Sequence, residues 1–283
     1  MRPTSSRPAP SVRTSTRPRT PFAAGQPRRL HPWCVTAPRD WDAATYDRVA
    51  DPQTRWGTAV LDRLPLAGYE TVLDAGCGTG RVTEQLAERL PRGRIVALDG
   101  SPSMIDEARR RLARFGDRVD YLVADLGRPF EVPGGPVDAI LSTATFHWIL
   151  DHDALFRNLA AVLRPDGRLV AQCGGAGNVD SVMAILGTIG DGWLGDRVFA
   201  TPEETADRLT RAGFVDVRTW LNPEPTRFEP GGPFETFLRT VVLGPHVQRL
   251  PVDERDGFVH QVASRLPEPV IDYVRLNIVA RRG

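Results

Sequence analysis

Lysine is absent: all 36 basic residues of the 283-residue chain are arginine, which reads as compositional bias rather than chemistry. Cysteine is scarce. The three, at 34, 77 and 173, form no Cys-x-x-Cys pair and no disulfide framework, so a reducing compartment, the cytoplasm, is expected. No stretch approaches the roughly 18 apolar residues of a membrane span, and no apolar h-region marks a secretory signal. No cluster of His, Cys, Asp or Glu has ligand spacing, so no metal is expected. There is no internal repeat. What is present, 41% hydrophobic and 25% charged residues, is the make-up of a globular protein with room for one large domain.

Charge is unevenly placed. The net value is +1, yet residues 1–40 carry eight Arg against one Asp, which leaves residues 41–283 mildly acidic. That balance speaks against nucleic acid as a partner. Residues 1–39, rich in Arg, Pro, Ser and Thr and free of acid, cannot bury enough apolar surface to offset their ordering entropy, so a disordered tail is expected. An organellar transit peptide is a weaker reading, because amphipathic helical spacing is missing. Residues 40–283 are expected to form the folded domain.

The chain is organised around Thr71-Val72-Leu73-Asp74-Ala75-Gly76-Cys77-Gly78-Thr79-Gly80. Val72-Leu73 reads as a buried parallel strand, and Arg81–Leu90 as an amphipathic helix. Between them, glycines at alternate positions suit a sharp turn where backbone approaches a ligand. Strands and helices then alternate. Strands are expected over Arg94–Asp99, Arg118–Ala124, Val137–Ser142, Arg168–Cys173, Val215–Leu221 and Val270–Ala280. Helices are expected from Pro102 behind the N-cap Ser101, from Asp151 or Asp153 to about Leu163, over Val179–Ile189, and from Pro202 behind Thr201. Pro165-Asp166-Gly167 is expected to close the second of these helices, and Phe234–Leu266 to be helical in two parts. The fold class is α/β: a doubly wound, mostly parallel, seven-stranded sheet with a small helical cap insertion. Segments 174–200 and 223–268 are the expected cap and substrate side. Ahead of the sheet, helices over Trp41–Val49 and Pro52–Leu64 bring Trp41, Tyr46 and Trp56, either as packing or as a lid that excludes water.

In open α/β sheets, ligands bind beyond the carboxyl ends of the strands. Asp74, Asp99 and Asp125 end three consecutive strands on that rim. A dinucleotide site has Gly-x-Gly-x-x-Gly with pyrophosphate at the helix N-terminus. Here the spacing is Gly-x-Gly-x-Gly, and Asp74 would repel pyrophosphate but attract an ammonium. Asp99 suits ribose hydroxyls, and Asp125 an exocyclic amine. Adenosine bearing an amino acid, S-adenosylmethionine, fits that description.

The same residues, with Ala97-Leu98-Asp99-Gly100-Ser101-Pro102-Ser103-Met104, Val123-Ala124-Asp125-Leu126, Phe146-His147-Trp148 and Leu163-Arg164-Pro165-Asp166-Gly167, resemble the class I S-adenosylmethionine-dependent methyltransferases, and within them the trans-aconitate methyltransferase group. The resemblance implies that Gly76, Cys77, Gly78 and Gly80 shape the donor turn, that Asp74 anchors the ammonium, and that Asp99 with Gly100 takes the ribose. It also implies that Met104 packs on adenine, that Asp125 and the Leu126 backbone read its edge, and that Ser142 and Phe146 line the methionine side. Met104 reads equally as a core methionine.

Tyr46, Trp56, His147, Trp148 and Arg275 are candidates for the acceptor side. His147 is either a general base or a loop-holding hydrogen bond. Arg275 either binds a substrate carboxylate or makes an ion pair at the sheet. The expected activity is methyl transfer to a small-molecule oxygen, carboxylate or hydroxyl, by a monomer or homodimer. A nicotinamide-dependent oxidoreductase and a non-catalytic donor-binding module are the alternatives. After the fourth strand, Ser142-Thr143-Ala144-Thr145 replaces the Asn/Asp-Pro-Pro-Tyr tetrad suited to nucleic-acid methylation.

Overall fold

The computed structural model describes residues 40–49 and 51–283. The expectation for residues 1–39 lies outside the described residues.

Seven strands form the main sheet: β1 (Thr71–Ala75), β2 (Arg94–Asp99), β3 (Val119–Val123), β4 (Val137–Thr143), β5 (Leu163–Gly174), β6 (Phe214–Pro223) and β7 (Val274–Arg282). Their spatial order is 3-2-1-4-5-7-6. The first five run parallel, and β7 inserts antiparallel between β5 and β6. The central strands are buried on both faces, as the continuous apolar runs Val72-Leu73 and Ile95–Leu98 require. Reversal of β7 has a consequence for function. Its second residue, Arg275, pairs with Gly174 at the carboxyl end of β5, so it lies on the same rim as Asp74 and Asp99.

Helices cover both faces. They are α1 (Ala43–Val49), α2 (Asp51–Leu61), α3 (Arg81–Arg89), α4 (Pro102–Leu112), α5 (His152–Val162), α6 (Asp180–Leu186), α7 (Pro202–Arg211), α8 (Gly232–Phe237), α9 (Gly244–Arg249) and α10 (Arg255–Arg265). The caps that sequence marks are made. Ser101 Oγ accepts from Met104 N–H, Asp151 from Ala154 N–H, and Thr201 with Glu204 closes a reciprocal box. One apolar cluster lies under α5 and α7, a second under α2, α3 and α4, and a third joins α6, α8, α9 and α10 into the cap.

Three expectations change. Pro165-Asp166-Gly167 does not close α5; it lies inside β5, where Asp166 takes φ 64 and the register against β4 slips. Phe234–Leu266 is not two helices but three, with a π turn at Leu238–Val242 and a 3-10 turn at Val252–Glu254. Pro245 and Pro251 lack the N–H a continuous helix needs. The last strand breaks at Asp272-Tyr273. Val270–Ile271 leaves the main sheet to pair with Thr226–Arg227, and Asp272 instead caps α6 through Ser181 N–H (2.9 Å) and Ser181 Oγ (2.6 Å). That cap is borrowed because the α6 N-cap residue, Val179, has no side-chain acceptor.

Candidate active site

The crevice beyond the strand ends has two halves of opposite charge. On the β1–β3 side, Asp74 is 1% exposed, and its Oδ2 accepts from Thr83 Oγ1 at 2.7 Å. Its Oδ1 is buried with no hydrogen bond. Burial pushes the Asp74 carboxyl up to about 7, with Asp99 adding to the rise and Thr83 opposing it. Asp99 lies one strand away. Its Oδ2 accepts from Gly78 N–H and its Oδ1 from Ser101 N–H, both at 2.9 Å, so it fixes the glycine turn and the start of α4 together. Burial raises its carboxyl too, against those hydrogen bonds.

Gly76 and Cys77 both donate to Leu98 O (2.8 and 2.9 Å), which draws the turn over β2. A Cβ at Gly76, where φ is +88°, would run into Thr145; at Gly78 it would meet nothing within 4 Å. The turn is thus tight below and open above. Gly80, also at positive φ, starts α3, and Gly100 links Asp99 to the N-cap Ser101. Met104 is buried on the first turn of α4. Asp125 follows β3, accepts from Gly127 N–H at 2.8 Å and faces Arg128 at 3.6 Å, beside the buried Leu126. Burial, with Asp99 and Asp74 nearby, pushes the Cys77 thiol well above its usual range, so it is no nucleophile.

The segment before the sheet fastens across this half. Asp40 and the backbone of Trp41 bond to Ser101 and Ser103. Asp47 accepts from Thr79 Oγ1 (2.7 Å), Arg81 Nε (3.1 Å) and Arg111 (2.8 Å). α1 is therefore clasped to the glycine turn by one carboxylate that sequence reading did not single out. It carries Tyr46, and Trp41 just ahead of it, to the boundary of the two halves, where Trp41 packs edge-on against Trp148 at 5.4 Å.

The other half is basic. Tyr46, His147, Trp148, Arg197, Tyr273 and Arg275 line one pocket between the rim and the cap. Arg275 is 3% exposed, with its guanidinium over Trp56 (4.8 Å) and near Tyr273 (5.9 Å). Trp56 thus backs the pocket rather than lining it. Arg197 donates to Val242 O at 3.0 Å and stacks over Trp148 at 5.0 Å, while its Nε is buried without an acceptor. Among the described residues, no carboxylate lies within ion-pair distance of either arginine. Burial pulls Arg197 down to about 10 and lowers Arg275; a guanidinium, with its high intrinsic pKa, is the cation suited to such a site.

His147 is buried, and its Nδ1 accepts from Gly174 N–H at 3.3 Å. That bond puts the proton of the neutral ring on Nε2. Burial, Arg275 and Arg197 hold its pKa well below the usual value, so the ring is a neutral donor at pH 7. Ser142 and Phe146, expected near the methionine end, are both buried. Ser142 Oγ donates to Ala75 O at 2.6 Å, and Phe146 packs edge-on against Phe156 in the core. Among the described residues, no His, Cys, Asp and Glu group is arranged to hold a metal.

Comparison with known proteins identifies the family and the fold. Residues 72–167 match a family described as a methyltransferase domain. A trans-aconitate 2-methyltransferase from Methylobacterium nodulans is 36% identical over 183 residues, 64% of this chain and 67% of that one. The chain belongs to the S-adenosylmethionine-dependent methyltransferases. A second relative of that name, from Variovorax paradoxus, is 29% identical over 86% of this chain and 98% of its own. The methyltransferase fold is shared with Haemonchus contortus phosphoethanolamine N-methyltransferase 2, solved with S-adenosyl-L-methionine (TM-score 0.58, 20% identity, 85% of this chain and 56% of that one).

S-adenosylmethionine is the donor this methyltransferase uses, and the oxidoreductase alternative is set aside. The donor half fits it: an orphaned buried carboxylate oxygen at Asp74 and open space over Gly78 leave room for an ammonium and a backbone-hugging chain. Arg197, the residue that sequence reading missed on the acceptor side, follows a run of glycines with no motif of its own.

Proposed function

We propose that this methyltransferase esterifies a carboxylate of a small organic acid. One observation carries the reading: the buried Arg275 and the half-buried Arg197 line one pocket, with no acidic partner for either among the described residues. A buried guanidinium left unpaired is costly, and a substrate carboxylate supplies the missing bidentate acceptor. The relatives named trans-aconitate 2-methyltransferase support the same acceptor class.

The donor roles belong to this proposal. Asp74 takes the ammonium, Asp99 the ribose hydroxyls, and Asp125 with the Leu126 backbone the adenine edge, while Met104 packs beneath. Gly76, Gly78 and Gly80 let the chain of the donor lie against the turn. When bound, S-adenosylmethionine supplies a sulfonium methyl whose C–S bond breaks, with the electron pair going to sulfur, as a C–O bond forms. The protein's own residues orient the acceptor and exclude water. Arg275 and Arg197 hold its carboxylates, His147 Nε2–H donates a hydrogen bond, and Trp41 and Tyr46 cover the crevice.

A carboxylate is ionised at neutral pH and needs no base. A hydroxyl would need one, and a histidine whose Nε2 already carries its proton is a poor one. Carboxylate is therefore the favoured oxygen, and His147 acts as a donor. The pocket is assembled within one chain, so a monomer or homodimer suffices. Cys77 and Cys173 are free, and no helix among the described residues is long and apolar enough to cross a membrane; cytoplasmic action is part of the proposal. The test is incubation with S-adenosylmethionine and a panel of mono-, di- and tricarboxylates, including trans-aconitate, with mass detection of methyl ester. Turnover of alcohols or amines but of no acid would overturn the reading.

A further inference from the structure

Behind Arg275 runs a buried chain of amides. Arg275 Nε donates to Gln172 Oε1 at 3.4 Å, and Gln172 Nε2 donates to Asn277 Oδ1 at 2.9 Å. Asn277 Oδ1 also accepts from Arg63, and Asn277 Nδ2 donates to Arg275 O at 3.2 Å. Gln172 and Asn277 are cross-strand partners on β5 and β7, 4% and 0% exposed. Arginine only donates. Arg63 at one end therefore fixes the Asn277 oxygen toward itself, which turns the Gln172 nitrogen toward Asn277 and leaves the Gln172 oxygen for Arg275. The amides can take only this orientation and satisfy both arginines. The chain aims the guanidinium without neutralising it, since an amide oxygen carries no formal charge.

We propose that Gln172 is a positioning and specificity residue: through the Arg63–Asn277–Gln172 chain it directs Arg275 into the acceptor pocket while leaving its charge free for a carboxylate substrate. This rests on the carboxylate reading above and adds what that reading lacks, the reason an uncharged residue stands behind a buried arginine. A carboxylate at position 172, nearly isosteric with the amide, would pair with Arg275 inside the protein and compete with the substrate.

Gln172→Glu and the neutral Gln172→Met separate charge from shape. Both variants lose the amide that donates to Asn277 Oδ1, and only Gln172→Glu gives Arg275 a charged partner, so the melting temperature of acceptor-free Gln172→Glu is expected to lie about 2 °C or more above that of Gln172→Met. In Gln172→Glu, the KM for trans-aconitate rises at least about tenfold, with kcat changed less than about threefold and the Kd for S-adenosylhomocysteine by calorimetry unchanged. In Gln172→Met, the melting temperature falls, and KM rises less than in Gln172→Glu. A melting temperature for Gln172→Glu no higher than that of Gln172→Met overturns the proposal, because it shows that Arg275 is not waiting for a charge, and this readout needs no acceptor. Equal KM changes in the two variants also overturn it, reducing Gln172 to a packing role. If wild type methylates no acid while Gln172→Glu is more stable than Gln172→Met, the acceptor reading fails and the positioning of Arg275 stands.

Discussion

The two halves of the crevice are built by opposite rules. The donor half is acidic and local: Asp74, Asp99 and Asp125 stand at the ends of adjacent parallel strands, held by the loops that follow them. The acceptor half is basic and dispersed. Its lining comes from α1, the turn after β4, the cap and the reversed strand β7. A cationic, amino-acid-bearing donor suits the first and an anionic acceptor the second, so charge alone sorts the two ligands within one cleft. Asp99 and Arg275 both act on Tyr46, Arg275 lowering and Asp99 raising its hydroxyl, while burial, the largest influence, pushes it up to about 12. Tyr46 therefore stays protonated where the halves meet.

The sharpest way to break that division is to remove the acceptor cation. Arg275→Gln is expected to raise the KM for a carboxylate acceptor about 100-fold, since hydrogen bonds to charged groups contribute about 1.5–3 kcal/mol each. Binding of S-adenosylhomocysteine, measured by calorimetry, should stay unchanged. A comparable loss in donor affinity would show that the two halves are not separate. The mirror experiment is Asp99→Ala, expected to weaken S-adenosylhomocysteine about 30-fold through lost hydroxyl contacts. Some stability goes too, because Asp99 also holds the Gly78 and Ser101 N–H groups. Acceptor KM at saturating donor should move little.

The same contrast decides what could be read in advance. The donor half was legible because strand, glycine turn and helix are contiguous, and each acid sits where its strand runs out. The sheet, the caps at Ser101, Asp151 and Thr201, and the rim followed from local rules of that kind. Arg197, Gln172 and Asp47 were not legible. Each acts through partners more than 30 positions away, respectively Val242, Asn277 and the Thr79–Arg111 pair, and nothing in its neighbours marks it. Arg275 was legible as a candidate for a substrate carboxylate, but not its place on the donor rim, since that depends on the last strand reversing direction. The break at Asp272 was hidden for a similar reason: the residue serves a helix some 90 positions earlier, through Ser181.

A smaller effect sharpens the donor side. Asp74 titrates near 7 when buried, above its ordinary 3.8. The folded state then holds a proton that the unfolded chain has lost between those values, so this group costs stability as pH rises from 4 through 7. Buried His147, His152 and His246 act in the opposite sense, losing stability as pH falls below 6.5. The difference between wild type and Asp74→Asn isolates the carboxylate. A donor ammonium pairs with Asp74 only when it is ionised, so wild-type affinity for S-adenosylhomocysteine should fall as pH drops through 7, approaching about tenfold per pH unit. Asp74→Asn should bind weakly, with that dependence removed. A pH-independent wild type would mean that Asp74 does not meet the ammonium.

The smallest expected effect is the most telling about mechanism, and it concerns the boundary residue His147. A general base contributes about 10²–10⁴-fold to rate, whereas a neutral donor contributes one hydrogen bond, about 0.5–1.5 kcal/mol or less than about tenfold. With Nδ1 engaged by Gly174 N–H and the pKa held well below 6.5, His147 has no lone pair to offer a substrate proton at pH 7. His147→Gln, which keeps a donor on a side chain of similar reach, is expected to lower kcat/KM for trans-aconitate less than about tenfold. The pH–rate profile between 6 and 8 should keep the wild-type shape, because Asp74, which titrates there, is untouched and His147 titrates well below. A drop of about 10³-fold with loss of an ionisation in that window would restore the base role. It would also move the acceptor from a carboxylate to a group that must first be deprotonated.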